Sequence, residues 1–184
     1  METSAGFVLT GGRSSRMGRD KALLPIEGSV LVERTAERVR AAAGSVTLIG
    51  APERYAKLGL AVAADLVEDC GPIGGLFTAL KSTRADWNLL VACDMPGLTA
   101  EFLGELLDAA RQRGCTCLVP QTDSGLHPLC AVYHRRAEGA VASAIEHKRF
   151  KMHDLLKILG ATAWPVTDAA VLENVNTPVE WGAR

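Results

Sequence analysis

The chain has 184 residues, enough for one domain with a sizeable core, and its apolar share is 48% against 5% aromatic, so Val, Leu, Ile and Ala must fill that core. With 20 basic and 21 acidic side chains the net charge is −1, which excludes a sequence-wide basic footprint for nucleic acid. No apolar run reaches the roughly 20 residues of a membrane span, and the amino-terminal stretch lacks a signal-peptide core. Five cysteines cannot all pair, so a reducing cytoplasm is the predicted compartment.

Apolar bursts alternate with helical patterns along the chain. Residues 6–10, GFVLT, read as a buried strand that runs into Gly11-Gly12. Over 30–43 a helix is predicted, with Val32, Ala36, Val39 and Ala43 on one face, charges on the other and Gly44 as the stop. SVTLIG (45–50) and LAVAAD (60–65) read as strands. The glycine-rich CGPIGG follows, opening a helix over Leu76–Ser82. WNLLVACD (87–94) is a buried strand that delivers Asp94 at its carboxyl end. Thr99 caps the next helix, whose stripe is Leu103, Leu106, Leu107 and Ala110, with Gly114 just past its end. Strands at CTCLVP (115–120) and PLCAVY (128–133), helices over 135–147 and 152–159, and a strand at ATAWPV (161–166) complete the pattern. The order β-α-β-β-α-β-α-β predicts a three-layer α/β/α, Rossmann-like domain over residues 1–184, with a mainly parallel sheet.

In open α/β sheets ligands bind outside the carboxyl ends of the strands. Gly11-Gly12, Asp65, the 71–75 loop and Asp94 all fall at such ends. The first of these lies beside Arg13, Arg16, Arg19 and Lys21, four cations in nine residues. Glycine lets backbone N–H groups approach and cradle an anion, and Arg16 and Lys21 add charge-assisted bonds to phosphate oxygens. The spacing fits neither a Walker A loop nor a dinucleotide fingerprint, so an ordinary ATPase or dehydrogenase is disfavoured. Asp94 reads either as a ligand for Mg²⁺, which binds phosphate oxygens in turn, or as a charge for the following helix. Asp65 reads as a ligand contact or as a turn residue. Cys93 is a small core residue, Cys115-Thr-Cys117 lacks a second pair for zinc, and the four histidines show no metal spacing. His134-Arg135-Arg136 reads as a solvated helix start, or as a surface facing an anionic acceptor. No serine carries a nucleophile elbow.

Leu9-Thr10-Gly11-Gly12-x-Ser14-x-Arg16-Met17-Gly18-x-Asp20-Lys21 resembles the opening motif of the molybdenum cofactor guanylyltransferases, the MobA type. The resemblance continues through Gly71-Pro72, Cys93-Asp94-Met95-Pro96, His127-Pro128-Leu129 and Asn174-Val175-Asn176-Thr177-Pro178. It implies transfer of GMP from GTP to molybdopterin carrying molybdenum, with release of pyrophosphate and with Mg²⁺ as cofactor. Molybdenum-insertion proteins and apo-molybdoenzymes would be further partners. By position it implies nucleotide contacts at Leu9, Thr10, Gly11, Gly12 and Asp65, phosphate contacts at Arg16 and Lys21, metal binding at Asp94, and Asn174 and Asn176 close to the site. Thr10 stands where the family has Ala, and Gly50 where many members place Asn, so no side-chain role is carried to position 50. Gly11 favours guanine, because the sister cytidylyltransferases read Leu-Ala-Ala-Gly there. The rivals are transfer from CTP to the pterin, transfer to a sugar or polyol phosphate, and a non-catalytic GTP-binding module that delivers cofactor.

Overall fold

The computed structural model describes residues 2–10, 20–26 and 28–174. Strand β1 (Ser4–Leu9) is buried on both faces, as its unbroken apolar run requires. A short 3₁₀ turn (Lys21–Leu23) and a hairpin of β2 (Pro25–Ile26) with β3 (Ser29–Val30) lead into α1 (Leu31–Ala43). Glu33 fixes the start of α1 by accepting from the Ser29 hydroxyl at 2.6 Å and the Val30 amide at 3.4 Å. Gly44 ends the helix in the left-handed region, φ +80°, and all four stripe residues are buried.

Beyond β4 (Thr47–Ile49) the chain makes one helical turn, α2 (Pro52–Tyr55), a 3₁₀ turn (Ala56–Leu58) and β5 (Val62–Ala63). Neither α2 nor the short hairpin has a hydrophobic period long enough to be read from sequence. Helix α3 (Pro72–Lys81) begins at Pro72 rather than at Leu76. Gly74 and Gly75 read as loop because glycine disfavours helices. Here the close approach of helix and sheet requires Gly75, where a Cβ would lie 2.6 Å from a Leu9 methyl.

Strand β6 (Trp87–Ala92) is wholly buried, and α4 (Ala100–Arg113) follows, capped by Thr99, whose hydroxyl accepts from the Phe102 amide at 3.1 Å. Its predicted stripe is buried and Gly114 ends it with φ +56°. The next strand, β7 (Cys117–Thr122), starts two residues later than expected and bends back through β8 (Gly125–Leu126) into β9 (Cys130–His134). A 3₁₀ turn (Arg135–Ala137), α5 (Glu138–Glu146), α6 (Met152–Ile158), β10 (Thr162–Pro165) and a last 3₁₀ turn (Ala169–Leu172) complete the described chain.

The strands form one sheet in the order β10-β7-β9-β6-β1-β4-β5, with β8 paired to β7. Neighbours are parallel at β10/β7, β6/β1, β1/β4 and β4/β5, whereas β9 runs antiparallel between β6 and β7. Alternation splits the core between the two faces. Val8, Leu48, Leu89, Val91 and Val132 join α1 and α4 on one side. Phe7, Leu9, Ile49, Leu90 and Tyr133 join α3, α5 and α6 on the other. The mainly parallel three-layer expectation thus holds. From β1 the chain steps outward to β4 and β5, then crosses back to β6 on the opposite side. That reversal opens a crevice at the carboxyl ends of β1 and β6. Among the described residues no helix is long and apolar enough to cross a membrane.

Candidate active site

At that crevice the register pairs Leu9 with Ala92, and the Cys93 amide donates to the Leu9 carbonyl at 3.2 Å. The register carried one step on sets Cys93 opposite Thr10, and Asp94 emerges one residue beyond. Lys21 comes from the 3₁₀ turn, which is capped by Asp20 accepting from the Ala22 amide at 3.1 Å. The Lys21 ammonium donates to Asp94 Oδ2 at 3.2 Å, with the two side chains only 17% and 23% exposed. The other oxygen, Asp94 Oδ1, is buried and has no hydrogen-bond partner among the described residues. A lone buried carboxylate oxygen is costly unless something binds it. No cluster of three metal-ligating side chains exists among the described residues, so this donor set suits a hard cation that takes its other ligands from water and phosphate, as Mg²⁺ does.

On the β4/β5 side of Leu9 lies an open cavity of about 690 Å³. Leu9 and Ile49 form part of its wall, Asp65, Glu68 and Asp69 supply acids, and Phe150 adds an aromatic ring. The amino terminus of α3 opens onto the same space at Gly71-Pro72. Burial raises the Asp65 carboxyl above its ordinary pKa. Asp65 sits in the loop beyond β5, which ends at Ala63, two residues earlier than expected. The turn after it is held by α3, because the Leu66 amide donates to the Thr78 hydroxyl at 3.0 Å.

The structure thus brings Leu9 and Asp65 together around the cavity, and Lys21 and Asp94 together in an ion pair at the neighbouring strand ends. Thr10 is buried between them, its amide and its hydroxyl both donating to the Ile49 carbonyl, at 3.1 and 2.8 Å. Asn174 is exposed and follows the Ala169–Leu172 turn, which packs on the loop after Asp94. A Cβ on Gly97 would lie 2.8 Å from the Ala170 carbonyl oxygen. Gly11, Gly12, Arg16 and Asn176 fall outside the described residues. Glu68, Phe150 and Tyr55 were missed in the sequence, since none belongs to a periodic segment or a glycine loop.

The two departures at positions 10 and 50 occupy one space. A Cβ on Gly50 would lie 2.2 Å from Thr10 Oγ1 and 3.4 Å from the Tyr55 ring. The threonine hydroxyl thus fills what a side chain at 50 would need. Gly50→Ala is expected to lower the unfolding free energy by about 1–3 kcal/mol through overpacking and the backbone φ of +157°, and Thr10→Ala in the same chain to restore the overpacking part. Urea unfolding of both chains checks this; a Gly50→Ala loss that Thr10→Ala leaves untouched places the strain elsewhere.

The thiols contribute no nucleophile. Cys93 is buried beside Asp94, and burial first, then that negative charge, pushes it up to about 12. Cys130 is likewise pushed up to about 12 by burial. All five cysteines are free, and Cys115 is half-buried where Cys117 is buried.

The model of the MobA-like NTP transferase domain matches residues 6–162. The chain belongs to the MobA-like NTP transferase family. Within it, the chain is 35% identical over 157 residues to the "Probable molybdenum cofactor guanylyltransferase" of Flavobacterium johnsoniae, covering 85% of this chain and 82% of that one. It is 33% identical to the protein of the same name from Synechococcus elongatus, covering 97% and 96%. Among solved structures it resembles molybdopterin-guanine dinucleotide biosynthesis protein A from Archaeoglobus fulgidus, at TM-score 0.83 and 25% identity over 97% of this chain and 95% of that one. A MobA-like chain of this kind is a nucleotidyltransferase, and the crevice at β1 and β6 is its candidate active site.

Proposed function

We propose that this transferase moves GMP from GTP to the terminal phosphate of molybdopterin, releasing pyrophosphate and forming the guanine dinucleotide of the cofactor. Two relatives named molybdenum cofactor guanylyltransferase support the substrate pair. The observation that carries the chemistry is the Lys21–Asp94 pair, with a buried Asp94 Oδ1 that has no hydrogen-bond partner among the described residues.

The guanine is assigned to the cavity. Its edge presents two adjacent N–H donors, which an acceptor-only carboxylate such as Asp65 receives, and Leu9 and Ile49 supply apolar wall. The phosphates then run toward the ends of β1 and β6. Lys21 leaves Asp94 for the triphosphate when GTP enters, and the Gly11-Gly12 amides and Arg16 are assigned to the same oxygens. Asp94 would then hold Mg²⁺, which would supply neutralising charge to the phosphates. The acceptor phosphate is already anionic and needs no general base. Its oxygen forms a bond to the α-phosphorus as the bond to the bridging oxygen breaks, and pyrophosphate leaves with the electron pair. What the chain supplies is in-line placement of two polyanions and positive charge at the leaving group. Asn174 and Asn176 are assigned to the acceptor side. The cytoplasm is the proposed compartment, with molybdenum-insertion proteins and apo-molybdoenzymes as the proposed onward partners.

Pyrophosphate release measured with each of four NTPs, with and without molybdopterin, tests this reading. GTP- and molybdopterin-dependent release is expected; release with CTP, or with a sugar or polyol phosphate in place of the pterin, reassigns the substrate. GTP binding without release in any combination makes the chain a delivery module. Asp65→Asn is expected to lower kcat/KM for GTP about 10- to 100-fold, the loss of a charge-assisted bond pair, with a smaller loss for ITP, which keeps the ring N–H but lacks the 2-amino group. Asp65 accepts from both guanine N–H groups only when ionised, and its carboxyl is raised by burial. GTP use should therefore decline as pH falls through that raised pKa, above the ordinary aspartate range. Asp65→Asn should lack this decline, and a decline that survives the substitution assigns the titration to another group.

A further inference from the structure

Tyr55 is the last residue of α2, buried to 2% exposure and far in sequence from the motif residues. Its hydroxyl donates toward Asp20 Oδ2 at 2.9 Å and lies 3.3 Å from the Thr10 carbonyl. Thr10 and Asp20 are the two described residues that flank segment 11–19, which holds Gly11, Gly12 and Arg16. The single phenol proton goes to Asp20, the nearer acceptor, so Tyr55 holds the residue that follows the glycine-rich segment.

The same contact reaches Lys21. Asp20 uses Oδ2 for Tyr55 and Oδ1 for the Ala22 amide, so it caps the 3₁₀ turn on which Lys21 sits. The Arg54 guanidinium also approaches Asp20 Oδ2, at 3.9 Å. A continuous path of bonds thus runs from Tyr55 through Asp20 and the Lys21 turn to Asp94. Burial, the largest influence, raises the phenol to about 12, so it stays a neutral donor across the working range. The ring itself belongs to the core beside α1 with Ala22, Val32 and Leu48, a packing role that phenylalanine fills equally well. The hydroxyl is therefore separable from the fold.

We propose that Tyr55 is a positioning residue for the phosphate site: its hydroxyl holds Asp20 and, through the 3₁₀ turn that Asp20 caps, aims Lys21. It touches no reacting atom. The inference rests on the reading of Lys21 and the glycine-rich segment as the phosphate cradle.

The test measures GTP- and molybdopterin-dependent pyrophosphate release by wild type, Tyr55→Phe, Asp20→Ala and the double variant, with Tm for each. Tyr55→Phe is expected to raise KM for GTP about tenfold, the size of one hydrogen bond to a charged group, with a smaller change in kcat and Tm within a few degrees of wild type. Asp20→Ala removes the same bond from its other side and leaves the ring seated, so it reports even where Tyr55→Phe folds poorly. It should raise KM at least as much, and the double variant should be no worse than Asp20→Ala, because both remove one interaction. An unchanged KM in Tyr55→Phe, or losses that multiply in the double variant, overturns the positioning role. Wild type that turns over no GTP rejects the functional reading instead.

Discussion

Asp94→Asn is expected to lose GMP transfer on the order of 10³-fold, the scale seen when a charged partner of the developing phosphate charge is removed. Asparagine keeps the shape, and its amide oxygen still accepts a hydrogen bond, so the change isolates the negative charge. In the resting site that charge faces Lys21 at 3.2 Å through Oδ2, while Oδ1 is buried and has no partner among the described residues. A helix-terminal role for Asp94 predicts a different result: a modest loss of stability and no loss of metal dependence. Thr99 already caps α4 through the Phe102 amide, five residues beyond Asp94, which leaves that helix in no need of it. The measurement is kcat across a Mg²⁺ titration, with Tm recorded alongside. Full Mg²⁺-dependent turnover by Asp94→Asn would remove the metal from this residue.

Lys21→Met is expected to lower kcat/KM for GTP about 100-fold, through a raised KM and a reduced kcat together. Methionine approximates the length of the stem and removes the ammonium. Two effects act in sequence. The cradle loses a cation that meets the triphosphate, and Asp94 loses the partner that holds it before GTP arrives. The second effect has its own readout: with its neighbouring cation gone, Asp94 should bind Mg²⁺ without nucleotide more tightly than it does in wild type. Calorimetric titration of Mg²⁺ into nucleotide-free chains checks this. Unchanged kcat/KM would exclude Lys21 from the phosphate site, and unchanged Mg²⁺ affinity would separate the pair from the metal.

Residues 87–94 show why part of the site was legible in sequence. A strand buried on both faces must be an unbroken apolar run, so the first charge after WNLLVAC marks its carboxyl end. In an α/β sheet that end is where ligands bind. The same logic pointed to Gly11-Gly12, which lie outside the described residues. Helices α1 and α4 were legible down to their closing glycines, because a 3.6-residue stripe and a left-handed cap are local signals. Helix α3 was read too short, since Gly75 serves close packing against Leu9, and Gly74 against Val67 and Cys70, and not a loop. The hairpin β2/β3 and the turn α2 carry too few residues for any period to appear.

What the sequence determined by itself was the alternation of elements, the faces that α1 and α4 bury, and the charged and glycine-rich residues that have chemistry to offer. Each follows from local rules of backbone geometry and hydrophobic period. Only the tertiary structure decided which of those residues meet. The parallel register of β1 with β6 sets Asp94 one residue past the partner of Thr10 and within reach of Lys21, 73 residues away in the chain. The step outward to β4 brings Gly50 under Thr10 and Tyr55 across to Asp20. Those contacts are long-range, set by the order in which strands join the sheet, and no window of neighbouring residues contains that order.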